Sequence, residues 1–199
     1  MAINFDDNSQ KVLQILENST EHIFLTGNAG TGKSTLLDHF RNNTGKNTAV
    51  VAPTGVAALN VKGETIHSFF GFPPNVTPER ASQEAKHSKK IKVFTNLDVL
   101  IIDEISMVRA DLLDSVDSFL RTIRKNNLVF GGVRVVMVGD LHQLPPVVTA
   151  QEKQALESIY ETPYFFSSKT FSRLFDGLYS QLKFVELQTM QKIGEGPNN

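Results

Sequence analysis

The stretch FLTGNAGTGKSTLL, residues 24–37, constrains this chain more than any other feature. An apolar run feeds three glycines, then Lys33, Ser34 and Thr35, then the helix-forming pair Leu36-Leu37. Gly27, Gly32, Lys33 and Ser34 fill the four fixed places of G-x-x-x-x-G-K-[ST]. That order reads as strand, loop and helix. Glycines let backbone N–H groups turn inward on a polyphosphate, and the helix that follows adds its positive N-terminal end. Gly27, Asn28, Ala29, Gly30, Thr31, Gly32, Lys33, Ser34 and Thr35 are therefore the expected phosphate cradle. Within it, Lys33 reaches the β and γ phosphates and Ser34 ligates Mg²⁺. A dinucleotide loop is disfavoured, because the glycines read G-x-x-G-x-G and not G-x-G-x-x-G. The expected ligand is a nucleoside triphosphate.

Four short apolar runs, at residues 23–26, 48–52, 99–102 and 133–138, are too short for helices and read as buried parallel strands. Between the last two, RADLLDSVDSFLRTIRK places Leu112, Leu113, Val116, Phe119, Leu120 and Ile123 on one helical face. This is a crossover helix, with Arg121, Arg124 and Lys125 expected on its solvated side. Residues 9–17 form a shorter amphipathic helix, with Val12, Leu13 and Leu16 inward. GFPPNVTPE breaks regular structure, and residues 72–95 read as a small insertion. The fold expected is a three-layer α/β P-loop domain with a mainly parallel central sheet, occupying residues 1–199 as a single domain.

The third strand runs into Asp103-Glu104, so two carboxylates stand at the C-terminal edge of a parallel sheet, where such sheets keep their ligands. An aspartate there either holds Mg²⁺ or serves only as a helix N-cap, and a neighbouring glutamate can polarise the attacking water. After the fourth strand, MVGDLHQLPPV places Gln143 just past the sheet edge, where an uncharged amide can contact a γ-phosphate. Carboxylates beside a phosphate loop point to hydrolysis. Lys33, Asp103, Glu104 and Gln143 are the catalytic candidates, and Ser34 and Asp103 the metal ligands.

The formal net charge of −1 excludes a globally basic nucleic-acid binder, so any such contact is local. KHSKKIK, residues 86–92, is either such a contact or a solvated surface loop. No cysteine is present, which removes disulfides and thiolate metal sites, and no apolar run has the length needed to cross a membrane. The N-terminal MAINFDDNSQ is acidic and polar, unlike a targeting peptide, and a cytosolic protein is expected.

GNAGTGKST, APTGVAALNVKGETIHSFFG, VLIIDEISMV and GDLHQLPPV resemble, in order and spacing, motifs of superfamily-one DNA helicases. The nearest resemblance is to the RecD-like Pif-one family, and residues 111–136 are similar to that family's own signature. The resemblance covers roughly residues 8–190. It implies a first RecA-like motor domain of a 5′→3′ DNA helicase, using ATP and Mg²⁺ and acting on single strands, duplexes, DNA junctions and G-quadruplexes. Roles in DNA repair, recombination and telomere maintenance come with it. So does a place in the bacterial cytosol or nucleoid, or in the nucleus or mitochondrion of a eukaryote. The resemblance also implies a monomer without membrane contact. Gln10 matches the glutamine that reads adenine; Pro53, Thr54, Gly55 and His67 match positions lining the single-stranded DNA path, with Pro146 near it. Phe69 and Phe70 are either stacking platforms or core.

The family carries a second RecA-like domain in cis, whose arginines reach the γ-phosphate. Here the sequence after Glu186-Leu187 offers Gln191-Lys192-Ile193, where family members place an aromatic-Arg-Gln. Lysine does not reproduce the planar phosphate recognition of arginine. The expectation is a first motor domain alone, and the alternative is a stand-alone ATP-switched binding module.

Overall fold

A computed structural model of the chain describes residues 5–28, 30–175 and 180–188. In chain order the elements are α1 (Asp7–Asn18), β1 (His22–Thr26), α2 (Lys33–Asn43), β2 (Thr48–Ala52), α3 (Gly55–Asn60), β3 (Glu64–Thr65) and α4 (Ile66–Phe70). There follow α5 (Pro78–His87), α6 (Ile91–Thr95), β4 (Val99–Ile102), α7 (Ala110–Arg124), β5 (Arg134–Val138), α8 (Ala150–Glu157), α9 (Lys169–Arg173) and β6 (Leu182–Glu186). The strands form one parallel sheet in the order β3-β2-β4-β5-β1-β6.

The sheet is buried on both faces, which is why its strands are continuous apolar runs. Alternate residues enter opposite cores: Phe24, Leu100, Ile102, Val135 and Met137 pack with α4–α7, whereas Ile23, Leu25, Ile101, Val136 and Val138 pack with α1 and α2. In α1, Val12 and Leu16 are buried and Leu13 is partly so, and Asp6 caps the first turn by accepting from the Ser9 N–H at 2.7 Å. The strands expected from the sequence all form. β3 and β6 carry no strand signal in the sequence, because β3 has two residues and β6 is an edge strand with only Leu182 and Val185 buried.

Residues 72–95 are more regular than their prolines suggest. Pro78 sits in the first turn of α5, where its missing N–H is harmless, and the Thr77 hydroxyl accepts from Arg80 N–H. Phe72, Val76, Ala81, Ala85 and Phe94 from this segment belong to the same core as α7. Phe69 and Phe70 are buried there too, edge-on at 5.1 Å and packed on Phe94, so they are core and not stacking platforms. The lysine run spans the end of α5 and the start of α6; within it, Lys90 donates to the Phe69 carbonyl and pairs with Glu64.

The crossover helix α7 carries its apolar stripe inward as expected, but its basic end is not simply solvated. Arg124 gathers the carbonyls of Phe94, Thr95, Leu97 and Gly131, and Arg121 pairs with the buried Asp117. Asp117 also accepts from the Phe130 N–H at 2.6 Å, fixing the turn that leads into β5. In that turn Gly131 has φ 62°, and a Cβ on it would stand 2.5 Å from the Leu120 carbonyl oxygen. Asp114 accepts from the Tyr160 hydroxyl and the N–H groups of Lys169 and Thr170. The signature segment thus locks helix, turn and strand together.

His22 is buried between β1 and β5, and its Nδ1 accepts from the Val135 N–H at 3.0 Å. Burial, then the nearby Arg134 charge, pushes its pKa down to about 4. Above pH 6.5 the imidazole is neutral in both folded and unfolded chains. Between pH 6.5 and 4 the unfolded chain takes up a proton that the folded one refuses, so stability falls by up to roughly 3 kcal/mol as pH drops through that window. Asp103, raised to about 6, acts with the opposite sign, losing stability as pH rises from 3.8 towards 6. The measurement is therefore a difference between parent and His22→Asn, which keeps an acceptor near Nδ1. Urea unfolding at pH 7 and pH 4.5 is expected to show the parent losing most of that stability relative to the variant; an equal difference at both pH values would refute a neutral buried His22.

Candidate nucleotide-hydrolysis site

The phosphate loop joins β1 to α2. Gly32 sits at the N-cap of α2 with φ 84° and ψ 16°, a left-handed conformation that glycine adopts without a Cβ clash. Gly27 packs so tightly that a Cβ would lie 2.5 Å from the Leu187 carbonyl oxygen. Thr31 is buried, and its hydroxyl donates to the Asn28 carbonyl at 2.9 Å. Lys33 folds back over the loop, its Nζ donating to the carbonyls of Gly27 at 2.6 Å and Asn28 at 3.1 Å. Ser34 and Thr35 are exposed in the first turn of α2, and Gly30 is exposed in the loop. Ala29 lies outside the described residues, as does the segment holding Gln191, Lys192 and Ile193.

Because β4, β5 and β1 are consecutive in the sheet, the ends of three strands bring the candidates to one edge. Asp103 is buried where β4 ends, its N–H donating to the Val51 carbonyl at 2.8 Å. Burial raises its pKa to about 6, against a lowering by the Glu104 N–H; the Glu104 charge adds to the rise and that of Lys33 opposes it. Glu104, half-buried, has φ 50° and ψ 45°, a conformation that costs a non-glycine residue roughly 1 kcal/mol or more. A short 3₁₀ turn, Ile105–Met107, starts immediately after it. Gln143 is exposed beyond β5, and its Nε2 donates to Asp140 at 3.4 Å.

Asp140 was not singled out in the sequence, yet it organises this loop. Its carboxylate accepts from the His142 N–H at 2.9 Å, which holds its pKa below the usual range, with smaller lowering from Gln143, His142 and Lys33. An aspartate two residues before an N–H is a familiar turn signal, and it could have been read.

Gln10 lies in the first turns of α1, exposed, its Nε2 donating to the Phe5 carbonyl at 2.9 Å, while the Phe5 ring meets His39 edge-on at 4.8 Å. Pro53, Thr54 and Gly55 follow β2, next to the end of β4, with the Thr54 hydroxyl capping α3 through the Ala57 N–H. Pro146 is buried in the loop after β5. His67 follows β3, which pairs with the end of β2; half-buried at the start of α4, it lines a cavity of about 220 Å³ with Arg109 and Asp111. Burial lowers its pKa; the Arg109 charge adds to this and the Asp111 charge opposes it. Arg109 itself bridges Asp111 at 2.7 Å and Glu152 at 2.6 Å, tying the segment after β4 to α8.

A parallel sheet whose three adjacent strand ends present a phosphate loop, an Asp-Glu pair and a polar glutamine loop defines a RecA-like P-loop nucleoside triphosphatase domain. The PIF1-like helicase model matches residues 6–176. The chain belongs to the PIF1-like helicase family. It is 40% identical over 158 residues to the ATP-dependent DNA helicase PIF1 of Emericella nidulans, covering 74% of this chain and 21% of that protein. It is 33% identical over 195 residues to the PIF1 helicase of Saccharomyces cerevisiae, covering 93% of this chain and 22% of that one. Among solved structures, a Bacteroides Pif1 helicase in complex with ADP-AlF3 and single-stranded DNA superposes with a TM-score of 0.84 at 39% identity, covering 98% of this chain and 44% of that one. A Pif1 structure described as unwinding forked duplex DNA by two coordinating helicases gives 0.83 at 38% identity, covering 98% of this chain and 46% of that one. The chain spans about a fifth of the length of these curated relatives.

Proposed function

We propose that this chain is the first motor domain of a 5′→3′ DNA helicase, binding and hydrolysing ATP to move along single-stranded DNA. The observation that carries the reading is the meeting of Lys33, Asp103, Glu104 and Gln143 at one sheet edge, within a chain of the PIF1-like helicase family. Lys33 exchanges its loop carbonyls for phosphate oxygens. Glu104 orients the attacking water and takes its proton, and the uncharged Gln143 amide contacts the γ-phosphate without competing for a metal. Gln10 reads the adenine.

The residues present fit Mg²⁺. The candidate donors, the Ser34 hydroxyl and the buried Asp103 carboxylate, are hard oxygen ligands, which suits an ion completed by substrate phosphates and water. Ser34 and Asp103 would hold it, and the desolvation that raises Asp103 is the kind of burial a bound cation offsets. When bound, Mg²⁺ neutralises charge developing on the phosphates. DNA contacts are assigned to Pro53, Thr54, Gly55, His67 and Pro146, on one copy of the chain together with a second motor domain, and single strands and junctions are the ligands. A groove that follows the backbone and stacks bases needs no globally basic surface, in keeping with the net charge of −1.

Lys33→Ala tests the reading. Its Nζ bonds only loop carbonyls among the described residues, so the fold is expected to survive while affinity for Mg-ATP drops at least tenfold, the scale of a lost charge-assisted phosphate contact of roughly 1.5–3 kcal/mol. Calorimetric titration that gives equal affinities for variant and parent would remove the nucleotide assignment.

A further inference from the structure

Gly139, the residue between β5 and the Asp140–Gln143 loop, plays no part in the chemistry above, yet it is the point where that loop touches the turn bearing Glu104. It is buried, and its φ lies outside the left-handed region, so space alone forbids a side chain there. A Cβ on Gly139 would stand 2.9 Å from Ile105 Cγ2, 3.2 Å from Ile105 N and 3.4 Å from Ser106 N. Ile105 is fully buried and cannot swing away. The closest approach is at Cγ2, and because that side chain is fixed the push passes through Cβ and Cα to the Ile105 nitrogen, which is bonded to the Glu104 carbonyl carbon, so ψ of Glu104 rotates. Glu104 already occupies a small left-handed well at φ 50° and ψ 45°. Leaving that well turns the Cα–Cβ bond and displaces the carboxylate that Asp103 senses.

We propose that Gly139 is a positioning residue for hydrolysis, its bare Cα seating Ile105 so that Glu104 is held in its left-handed conformation facing the phosphate loop. The proposal rests on Glu104 as the group that activates water. It also joins the two loops that face the γ-phosphate, because Ile105 follows Glu104 directly and Asp140 follows Gly139. A shift of either loop is felt by the other through this contact.

The test is a double-mutant cycle on the full chain. Gly139→Ala is expected to lower ATP turnover about 10²-fold, the cost of displacing a catalytic group by about 1 Å. Mg-ATP affinity should stay within about threefold, since the phosphate loop supplies it. Ile105→Leu moves the branch from Cβ to Cγ and so deletes the Cγ2 methyl that meets the new Cβ at near-constant volume. Alone it is expected to cost some turnover, but the two changes should not add: the double variant should turn over at least tenfold faster than Gly139→Ala alone. A role confined to stability would lower the melting temperature without this split between turnover and affinity, and would overturn the proposal. So would parent-like turnover in Gly139→Ala, or a double variant no faster than the single. Should Gly139→Ala fail to fold, the double variant is expected to fold and turn over, and its failure in either respect counts against the proposal. Glu104→Gln measured alongside separates the two readings: if it is as active as the parent, the water-activating role falls, whereas an inactive Glu104→Gln beside a parent-like Gly139→Ala removes only the positioning.

Discussion

Glu104→Gln is expected to keep Mg-ATP binding and lose hydrolysis by about 10²-fold or more, the usual contribution of a general base. Gln has nearly the shape of Glu, so the half-buried side chain remains accommodated and the left-handed backbone at φ 50° is left to the Ile105 contact that holds it. What disappears is the proton acceptor. Single-turnover hydrolysis, with nucleotide affinity measured on the same preparation, separates the two effects: a fall in turnover at unchanged affinity marks an interaction made in the transition state. The neighbouring carboxylate behaves differently. Asp103 is buried and its pKa is raised to about 6, so Asp103→Asn leaves a neutral group in an environment that already disfavours charge. Its cost should appear in affinity at limiting Mg²⁺, while that of Glu104→Gln is independent of metal concentration. Equal turnover in parent and Glu104→Gln would take Glu104 out of the mechanism.

The site was legible because its parts are local in sequence. The phosphate loop is one unbroken stretch, and the Asp103-Glu104 and Gln143 segments each follow an apolar run that could only be a buried strand. Parallel order then carries the three strand ends to one edge with no further information. What the sequence does not display are contacts between distant segments. Nothing around Gly139 announces that Ile105 fills the space beside it, since the two are joined only by the packing of β5 against the end of β4. Arg124 looks like the last basic residue of an amphipathic helix; its role as a clamp depends on the carbonyls of residues 94–97, which α6 brings beneath it. β3 and β6 fell below the threshold of pattern, one by length and the other by its half-exposed edge position. The Phe69-Phe70 pair shows the converse: its residues suit stacking or core equally, and only the ring of Phe72, Phe94 and Phe119 around them decides for core.

Residues 1–199 as an isolated polypeptide are expected to hydrolyse ATP slowly and to leave duplex DNA intact, and supplying a second motor domain, fused or in trans, should raise turnover by about 10³–10⁵, the worth of an arginine delivered to the transferred phosphoryl group in other P-loop enzymes. The reason lies in how the chain uses its own arginines. Arg41 donates to the carbonyls of Val61 and Lys62, Arg80 pairs with Glu84, and Arg109 is divided between Asp111 and Glu152. Arg121 and Arg173 both pair with Asp117, Arg124 is occupied by backbone carbonyls, and Arg134 by the carbonyls of Leu16 and Ser19. Each already has a partner within the described structure. Among the described residues Lys33 is the one cation that lowers both the Asp103 and the Asp140 pKa. One ammonium serves the ground-state phosphates, but the charge that develops on the equatorial oxygens in flight needs a second cation, and its planar fork is a property of arginine. Unwinding further requires two bodies that grip the strand alternately as a cleft opens and closes, and one sheet with one nucleotide edge has a single grip. The decisive measurement is DNA-stimulated ATPase and fork unwinding by residues 1–199 with and without the second domain. Turnover at helicase rates without it would mean that a cation of this chain, Lys192 or one brought by another copy, fills the arginine's place.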